Sequence, residues 1–565
     1  MMMKTRSNKE TQAIMRKTFY FYLLLSGVLS FASETTGWWP EQKPAKAYVT
    51  AEWPSGLEEQ VILQTVAGLK ARAVNESAGD ELVWIEQRGK PSDEWKTRTV
   101  ARLKLKDHGV RSTDELLTEL VTKRQLLGYV LYTADTNEGH AFEKRSVIES
   151  SLNTATMAAA RFRAVPVSVK SEERMKKLGL TLLFDARRVD PLDYFTQYEK
   201  DFSGRGAVCL LEPKVPHNRD MAIAYGLPVC YGDSETLERF LSKIAPLSVV
   251  IGWGMGDEYK HCLAVTRQGL FHTASNWILN GTFHSGGAVA YQPKRLAAFD
   301  VSKIDWSDKR RCVALLMSDG DNVGFLQGPM WSEGYWKSPL HGSFPMGFSA
   351  CMADMAQLLP VVADTLAEQK PVETSLVQFG GGYFYPDHFA EARTNRWELL
   401  RQHARRINKQ LERTGVRVLT MICARTESPE SQQALRIFAE EMPAVLGFML
   451  MDYAPYHRGK GRIDWIPNGR GETIPAVCAR YSLWEGMKLP LAGDPEKLSV
   501  IINSDDGGVG GWVSLHAWSR FKTPEGKSRQ GMPGVNAMVQ GIDTNNVHVV
   551  CPEELLLRIR KTSCP

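Results

Sequence analysis

The stretch SLVQFGGGYFYPD, residues 375–387, places three glycines, two tyrosines and a proline directly after a short apolar run. Residues 375–379 are typical of a buried strand. The glycines that follow allow backbone or ligand to approach closely and tolerate a positive φ, and the proline ends the strand. Tyr383 and Tyr385 are two residues apart and therefore point the same way in an extended chain. The stretch predicts a strand whose carboxyl end opens into a site.

The remainder of the C-terminal half repeats this pattern of a short apolar run, polar residues and a helical segment. Eight strand candidates are CVALLM, PMGFSAC, SLVQF, VRVLTMIC, AVLGFMLMDY, TIPAVCARY, GGWVSL and VHVV. Alternation of helices with fully apolar strands is typical of parallel sheets that are covered on both faces. Eight such units predict a (β/α) TIM-like barrel in residues 301–565, and the strand ends of such a barrel share one mouth.

The preceding half shows the same alternation from residue 112 onward, for example DELLTELVTKRQL before GYVLY and EERMKKLG before LTLLF. It predicts an N-terminal doubly wound α/β region over residues 38–300, as one domain or two small subdomains. The glycine-rich GWGMGD, residues 252–257, lacks the GxGxxG spacing and an acidic residue placed to bind a ribose. We interpret it as a turn bordering the next domain, not as a nucleotide site.

The N-terminus has the pattern of a signal peptide. Arg16 and Lys17 precede an apolar stretch, residues 19–31, and small residues flank Phe31 in the pattern that a signal peptidase accepts. The stretch is too short to span a bilayer comfortably, and no cysteine follows it for a lipid anchor. We expect residues 1–32 to be removed and the protein to be secreted or periplasmic.

The charge of the mature chain argues against nucleic acid and anionic membranes as partners. The formal net charge is +5, and residues 1–32 carry five basic and one acidic side chain, which account for +4 of it. The mature chain is therefore close to neutral and has no basic field to attract polyanions. We expect no nucleic acid and no membrane as partners once the signal peptide is removed.

Nine cysteines are spread widely along the chain. No CxxC motif and no Cys/His spacing predicts a zinc site. We expect mostly buried free thiols, with one disulfide left open, and the odd number leaves at least one cysteine without an intrachain partner.

The signature GGGYFYP, supported by MSDGDN and the helical ACMADMAQLLP, resembles that of the GxGYxYP putative glycoside hydrolase family of secreted bacterial proteins. The resemblance covers most of the mature chain. It implies an N-terminal α/β region joined to a barrel-like C-terminal domain that acts on a glycan. The tyrosines of the signature are not an acid/base pair, so the resemblance assigns no catalytic residues.

Glycoside cleavage usually needs two carboxyl groups, one protonated as the acid and one ionised as the base or nucleophile. Aspartates and a glutamate follow several of the predicted strands. Our leading pair is Asp321 with Asp452, which come from different strands. Asp319 and Glu427 are the alternatives. Asp319 stands two residues from Asp321, so either carboxyl could raise the pKa of the other by like-charge repulsion.

Further polar and aromatic residues at the predicted strand ends are candidates for binding the sugar. They are Asn322, Tyr383, Tyr385, Asp387, Arg425, Tyr453, Trp512 and His516. A loop after the first strand interleaves Phe325, Trp331, Tyr335 and Trp336 with glycine and proline, and 15 tryptophans in all fit a carbohydrate ligand. These loop rings either receive a sugar or pack on the barrel rim.

Two other functions stay open at this point. SDGDN, residues 318–322, offers oxygen ligands to a hard divalent cation and loosely resembles the first strand of metal-dependent polysaccharide deacetylases, although the HxxxH pattern expected there is absent. A non-catalytic glycan-binding protein would use the same pocket for capture, but it has little use for several carboxylates. We therefore favour a glycoside hydrolase without a metal or other cofactor.

Overall fold

The computed structural model describes residues 37–87, 91–133, 151–202, 204–288, 292–506 and 510–563. The predicted signal peptide lies outside these ranges. From Gly37 onward the chain forms one compact unit. Within the described ranges, no helix is both long enough and apolar enough to cross a membrane.

Strands of the first half lie in three small parallel sheets, with strand orders β2-β1-β3, β5-β4-β6 and β10-β9-β7-β8. Their bounds are β1 Ala47–Glu52, β2 Glu81–Glu86, β3 Lys106–Val110, β4 Gly128–Leu131, β5 Ala164–Val167, β6 Thr181–Asp185, β7 Ala207–Leu210, β8 Val229–Cys230, β9 Val249–Gly252 and β10 Phe271–Ala274. The predicted parallel layering of helices and strands is confirmed, and it is divided among three sheets.

Helices connect and cover these strands. They are α1 Leu57–Asn75, α2 Ser92–Leu103, α3 Thr113–Thr122, α4 Ser151–Phe162, α5 Glu172–Lys177, α6 Pro191–Gln197, α7 Glu199–Phe202, α8 Arg219–Tyr225, α9 Ser234–Leu241, α10 Glu258–Arg267 and α11 Gly281–Ser285. Helix α10 bears on the site, because it begins directly after β9 and its N-cap Asp257 accepts a hydrogen bond from the backbone N–H of Lys260 at 2.9 Å.

The second half contributes eleven strands of the described chain to one sheet. They are β11 Arg311–Met317, β12 Met346–Ala350, β13 Thr374–Phe379, β14 Val418–Cys423, β15 Gly447–Asp452, β16 Ile463–Pro467, β17 Thr473–Cys478, β18 Tyr481–Leu483, β19 Ala492–Gly493, β20 Gly510–Leu515 and β21 Val547–Val550. The helices between them are α12 Val323–Gln327, α13 Met352–Leu358, α14 Pro360–Gln369, α15 Arg396–Thr414, α16 Pro429–Glu441, α17 Pro495–Ser504, α18 Met532–Gln540 and α19 Pro552–Ser563. All eight strand candidates of the sequence are strands here.

This sheet is curled and has the order β16-β17-β15-β14-β13-β12-β11-β20-β18-β19, with β21 paired to β11. Every pairing is parallel except that of β16 with β17. The α/β class with parallel sheets is confirmed. The TIM barrel is not confirmed, because the strand order runs between two edge strands and describes a half-barrel.

The curled sheet buries apolar side chains on both faces. Along β15, Phe448 and Leu450 belong to the large core shared with the helices, whereas Met449 and Met451 belong to a second cluster inside the curl. Successive residues of a strand point to opposite faces, so both faces of a covered parallel strand are apolar. The inner cluster forms the floor of the candidate site.

Eight of the nine cysteines fall within the described ranges, and all eight are free and buried. The ninth, Cys564, lies outside the described residues.

Candidate active site

A cavity of about 330 Å³ lies where the carboxyl ends of β11, β13, β14, β15 and β20 meet residues that follow β9 and β10. Its carboxylates are Glu258, Asp319 and Asp321. Its rings are Trp253, Trp277, Phe379, Tyr383, Tyr456, Trp512, His516 and Trp518. Amide and hydroxyl side chains also line it, from Ser275, Asn276, Ser318, Asn322, Ser349 and Ser514. The cavity thus combines acids, flat rings and hydrogen-bonding groups from both halves of the chain.

The SDGDN turn after β11 supplies two of the three carboxylates. Asp319 has a φ of 70°, a left-handed conformation that aspartate adopts more readily than most residues. A Cβ at Gly320 would lie 2.2 Å from the backbone carbonyl carbon of Ser349, so glycine is needed for this close approach. The turn is therefore held tightly against the end of β12.

Burial raises the pKa of both aspartates. Trp518 donates its indole N–H to Oδ1 of Asp319 at 2.7 Å, while Oδ2 of the same carboxyl is buried without a partner among the described residues. Burial, with the charge of Glu258 adding to it, raises the pKa of Asp319 to about 6. Burial and the neighbouring charges of Asp319 and Glu258 raise the pKa of Asp321 well above its usual range. Of the three carboxyl groups in the cavity, Asp321 therefore has the strongest tendency to hold its proton.

Glu258, the first residue of α10, supplies the third carboxylate. The phenol of Tyr383 donates to its Oε1 at 2.7 Å. Burial raises the pKa of Glu258, and the hydrogen bond from Tyr383 opposes part of that rise. Glu258 stands one residue after GWGMGD, which the sequence indicated only as a turn bordering the next domain. An acid in the first turn of a helix that follows a parallel strand was the available signal.

The GGGYFYP signature joins the two halves of the chain. Tyr383 and His272 exchange two backbone hydrogen bonds, of 2.8 and 3.0 Å, which pair the signature with β10. Gly382 has a φ of 89°, and a Cβ there would lie 2.7 Å from the carbonyl oxygen of His272. The glycines of the signature thus permit a backbone contact, and that contact brings the phenol of Tyr383 to Glu258.

Tyr385 and Tyr453 lie beside the cavity and do not belong to its lining. Tyr259 packs against both of their rings, with centroid separations of 5.2 Å to Tyr385 and 5.0 Å to Tyr453. The backbone N–H of Tyr385 donates to the hydroxyl of Thr266 at 3.3 Å. These two tyrosines support α10, and their predicted contact with substrate is untested.

The structure does not bring Asp452 into the cavity. Its carboxylate is buried on the other side of the strand from Met451, where it accepts the backbone N–H of Thr426 at 2.9 Å and bonds the Thr426 hydroxyl at 3.2 Å. Because neighbouring residues of a strand face opposite ways, Met451 lines the cavity and Asp452 cannot. Asp321 and Asp452 are therefore not placed as a pair.

Three other predicted residues also lie outside the cavity lining. Arg425 and Glu427 are exposed. Asp387 is buried and accepts the backbone N–H groups of Ala424 and Arg425 at 3.1 and 2.9 Å, so it holds the turn after β14.

The other predicted binding residues line the cavity in different ways. Asn322 caps α12 by accepting the N–H of Phe325 at 3.0 Å. Trp512 is fully buried, and its indole N–H donates to the Val477 carbonyl at 2.8 Å, so its ring forms part of the cavity floor. His516 stacks on Trp484 at 4.0 Å, and burial lowers its pKa to about 4, which keeps its imidazole neutral.

The aromatic loop after β11 packs inward. Phe325, Trp331, Tyr335 and Trp336 are each at most 5% exposed. Tyr335 donates to the Ala517 carbonyl at 2.6 Å, and Phe325 packs at 5.3 Å against Trp518, the donor to Asp319. The loop therefore supports the cavity wall, and rings that line the cavity without being fully buried, such as Trp253, Trp277 and Tyr456, are the ones open to a ligand.

Comparison with known proteins identifies a family that part of the chain matches and a solved structure with a similar fold. Residues 309–560 match the model of the GxGYxYP putative glycoside hydrolase C-terminal domain. The resemblance carried by the GxGYxYP signature is thereby confirmed for this part of the chain. The GxGYxYP match begins after Glu258, so it does not include the third carboxylate of the cavity.

A crystal structure described as a putative hydrolase from Bacteroides thetaiotaomicron VPI-5482 has a similar fold. The TM-score is 0.75 at 20% sequence identity, and the alignment covers 93% of this chain and 96% of that one. Both halves are therefore shared with the solved protein, at the level of the fold. No curated protein matches the chain.

Proposed function

We propose that the protein is a glycoside hydrolase in which Asp321 and Glu258 carry the acid/base chemistry. The charge of Asp319 raises the pKa of Asp321, and the charge of Glu258 raises the pKa of Asp319. The observation that carries this proposal is the meeting of three carboxylates with raised pKa in one aromatic cavity. Perturbed carboxylates that share a cleft are typical of acid/base sites. The GxGYxYP family description supports this class, and the description of the solved neighbour as a putative hydrolase agrees with it.

In this proposal Asp321 donates the proton to the glycosidic oxygen. Its pKa lies well above the usual range, because burial and two neighbouring acids disfavour its ionisation. A general acid has to hold its proton until the bond to the leaving group breaks. The like charges nearby thus prepare the acid for its role.

Glu258 is the ionised partner in this mechanism. The Tyr383 phenol donates to one carboxylate oxygen and favours the anion. The carboxylate then either attacks the anomeric carbon or activates a water that does so. The half-buried rings of Trp253, Trp277 and Tyr456 offer flat apolar faces against which a sugar ring can lie.

The test is release of reducing sugar from a panel of polysaccharides and oligosaccharides by the purified mature protein. Asp321→Asn and Glu258→Gln each lower the rate by at least about 100-fold, as expected when an acid/base group is removed. Asp452→Asn retains activity if the cavity is the site, and loses it if the pair favoured by the sequence is the catalytic one.

Two results would contradict the proposal. Glycan binding without release, equal in wild type and variants, would mean that the cavity captures a ligand. Loss of activity with a chelator, together with release of acetate in place of reducing sugar, would favour a metal-dependent deacetylase.

We also propose that the protein is exported, on the strength of the N-terminal sequence. Expression of the full chain in a Gram-negative host, followed by mass spectrometry of the purified protein, would then show a mature chain that lacks residues 1–32. An intact N-terminus in the cytoplasmic fraction would contradict export.

A further inference from the structure

A second cluster of reactive side chains lies directly behind the cavity wall. His261 and Cys262 on α10 and His272 on β10 are all buried, and one ligand atom from each lies within 4.8 Å of the others. Trp253, which lines the cavity, packs against both imidazoles, at 4.5 Å from His261 and 5.4 Å from His272. The indole ring of Trp253 thus contacts both the cavity and the cluster.

The imidazole nitrogens of this cluster are unusual for a buried site. Among the described residues, neither ring nitrogen of His272 has a hydrogen-bond partner, and the same is true of Nε2 of His261. Buried polar groups are almost always paired, and an unpaired one calls for an explanation such as a missing water or ion. Three unpaired nitrogens beside one thiol are more than packing alone explains.

The one partnered nitrogen fixes the tautomer of His261. Its Nδ1 lies 3.1 Å from the carbonyl oxygen of Asp257, which can only accept, so Nδ1 carries the proton. The lone pair of His261 is then on Nε2, the buried nitrogen that has no partner among the described residues. A histidine that binds a metal through one nitrogen usually donates its other N–H to a carbonyl or carboxylate in this way.

We propose that His261, Cys262 and His272 bind a soft transition-metal ion of closed shell, Zn²⁺ or Cu⁺. Two imidazoles and a thiolate are a ligand set that suits both ions, whereas a hard cation would seek oxygen ligands. Binding replaces the thiol proton, which leaves as the metal–sulfur bond forms. An ordered water would also satisfy the nitrogens, and the variants below distinguish it from a metal, because only a metal needs the thiol of Cys262.

The ion would tie α10 to β10 behind the active site. Helix α10 begins with Glu258, and β10 pairs through His272 with the backbone of Tyr383. A metal here would fix the two elements that bring Tyr383 to Glu258. This role is structural and separate from the chemistry proposed above, because the cluster lies outside the cavity lining.

The experiment measures metal content without substrate, so its outcome is independent of the glycosidase proposal. The mature protein is purified from cells grown with added zinc or with added copper and analysed by elemental and native mass spectrometry. One ion per chain is expected, and the two growth conditions identify which. Cys262→Ala and His272→Gln are expected to reduce occupancy at least tenfold, whereas Cys209→Ala and His284→Gln, matched buried residues elsewhere in the chain, keep it.

Cobalt provides the second readout. Co²⁺ bound to wild type gives a thiolate-to-cobalt absorption band that Cys262→Ala lacks and Cys209→Ala retains. Circular dichroism checks that each variant folds, and if His272→Gln does not fold, the smaller change at Cys262 decides. No metal in wild type, or equal metal in wild type and Cys262→Ala, would overturn the proposal.

Discussion

The phenol of Tyr383 donates a 2.7 Å hydrogen bond to the carboxylate of Glu258, across a separation of 125 residues in the sequence. The backbone of the same tyrosine pairs with β10, which is separated from the end of α10 by three residues. One residue of the family signature therefore performs two tasks, one through its backbone and one through its side chain. A substitution that deletes only the hydroxyl removes the hydrogen bond to Glu258 and leaves the backbone pairing in place.

Tyr383→Phe keeps the ring and deletes the donor. Hydrogen bonds to charged groups contribute about 1.5–3 kcal/mol, so we expect kcat/KM to fall by about 10- to 100-fold. The bond lowers the pKa of Glu258, so its loss raises that pKa and moves the acidic limb of the pH–rate profile to higher pH. Tyr129→Phe is the control, since the phenol of Tyr129 also donates to a carboxylate, that of Glu172, at 2.7 Å and lies outside the cavity lining. An unshifted acidic limb in Tyr383→Phe would show that Glu258 need not be ionised.

Asp319 should titrate near neutrality and respond to its neighbour. Its pKa is about 6, and the charge of Glu258 contributes to that rise. Glu258→Gln removes the charge, so the pKa of Asp319 falls. The indole N–H of Trp518, which bonds Asp319, reports the titration by ¹⁵N NMR, and Trp518→Phe assigns its signal. A midpoint that is the same in wild type and Glu258→Gln would mean that the two carboxylates do not interact.

Asp319→Asn should stabilise the protein at neutral and alkaline pH. The folded-state pKa of about 6 lies above the ordinary 3.8, so the aspartate's contribution to stability is full below about 3.8 and is lost as the pH rises through about 6. Asparagine carries no charge and can still accept from Trp518. We expect the free energy of unfolding to rise by about 1–3 kcal/mol at pH 8 and little at pH 4.

Denaturant unfolding at the two pH values measures this difference, and activity is assayed in parallel. Equal stability of wild type and Asp319→Asn at pH 8 would contradict the raised pKa. Higher stability together with lower activity is the pattern expected of a residue kept for function.

Gly320→Ala should disrupt the turn that carries both aspartates. The new Cβ would lie 2.2 Å from the carbonyl carbon of Ser349 and 2.4 Å from its carbonyl oxygen, and backbone atoms cannot yield easily. We expect a loss of at least about 2 kcal/mol in the free energy of unfolding, together with most of the activity. Gly334→Ala is the matched control, because its Cβ would lie 3.5 Å from the nearest atom, the Ser332 hydroxyl. Comparable losses in the two variants would contradict the close approach.

The sequence predicted the strands of the second half, because apolar runs and polar strand ends are local patterns. The SDGDN carboxylates that it indicated lie in the cavity, and their catalytic role stays a prediction. The sequence could not predict which face of the sheet each side chain of β15 occupies. GFMLMD is apolar at every position before its aspartate, so no alternation tells which face the aspartate takes. In the pleated strand Met451 faces the cavity, and Asp452 faces the other way and accepts the backbone N–H of Thr426.

The place of Glu258 in the cavity was not predicted, for a different reason. The pattern around it indicates a turn and a helix start, and both are present. Its role depends on the first half of the chain reaching the mouth of the curled sheet, through contacts such as that of His272 with Tyr383. Such long-range contacts are not encoded in any local pattern.

The paired backbones of His272 and Tyr383 also bear on where this protein can be divided. The segment recognised as the family's C-terminal domain starts at residue 309 and so excludes α10 and β10. Expressed alone, it would keep both aspartates and lose the wall that supplies the third acid. The smallest chain that can carry the proposed reaction is therefore larger than the domain by which it is recognised.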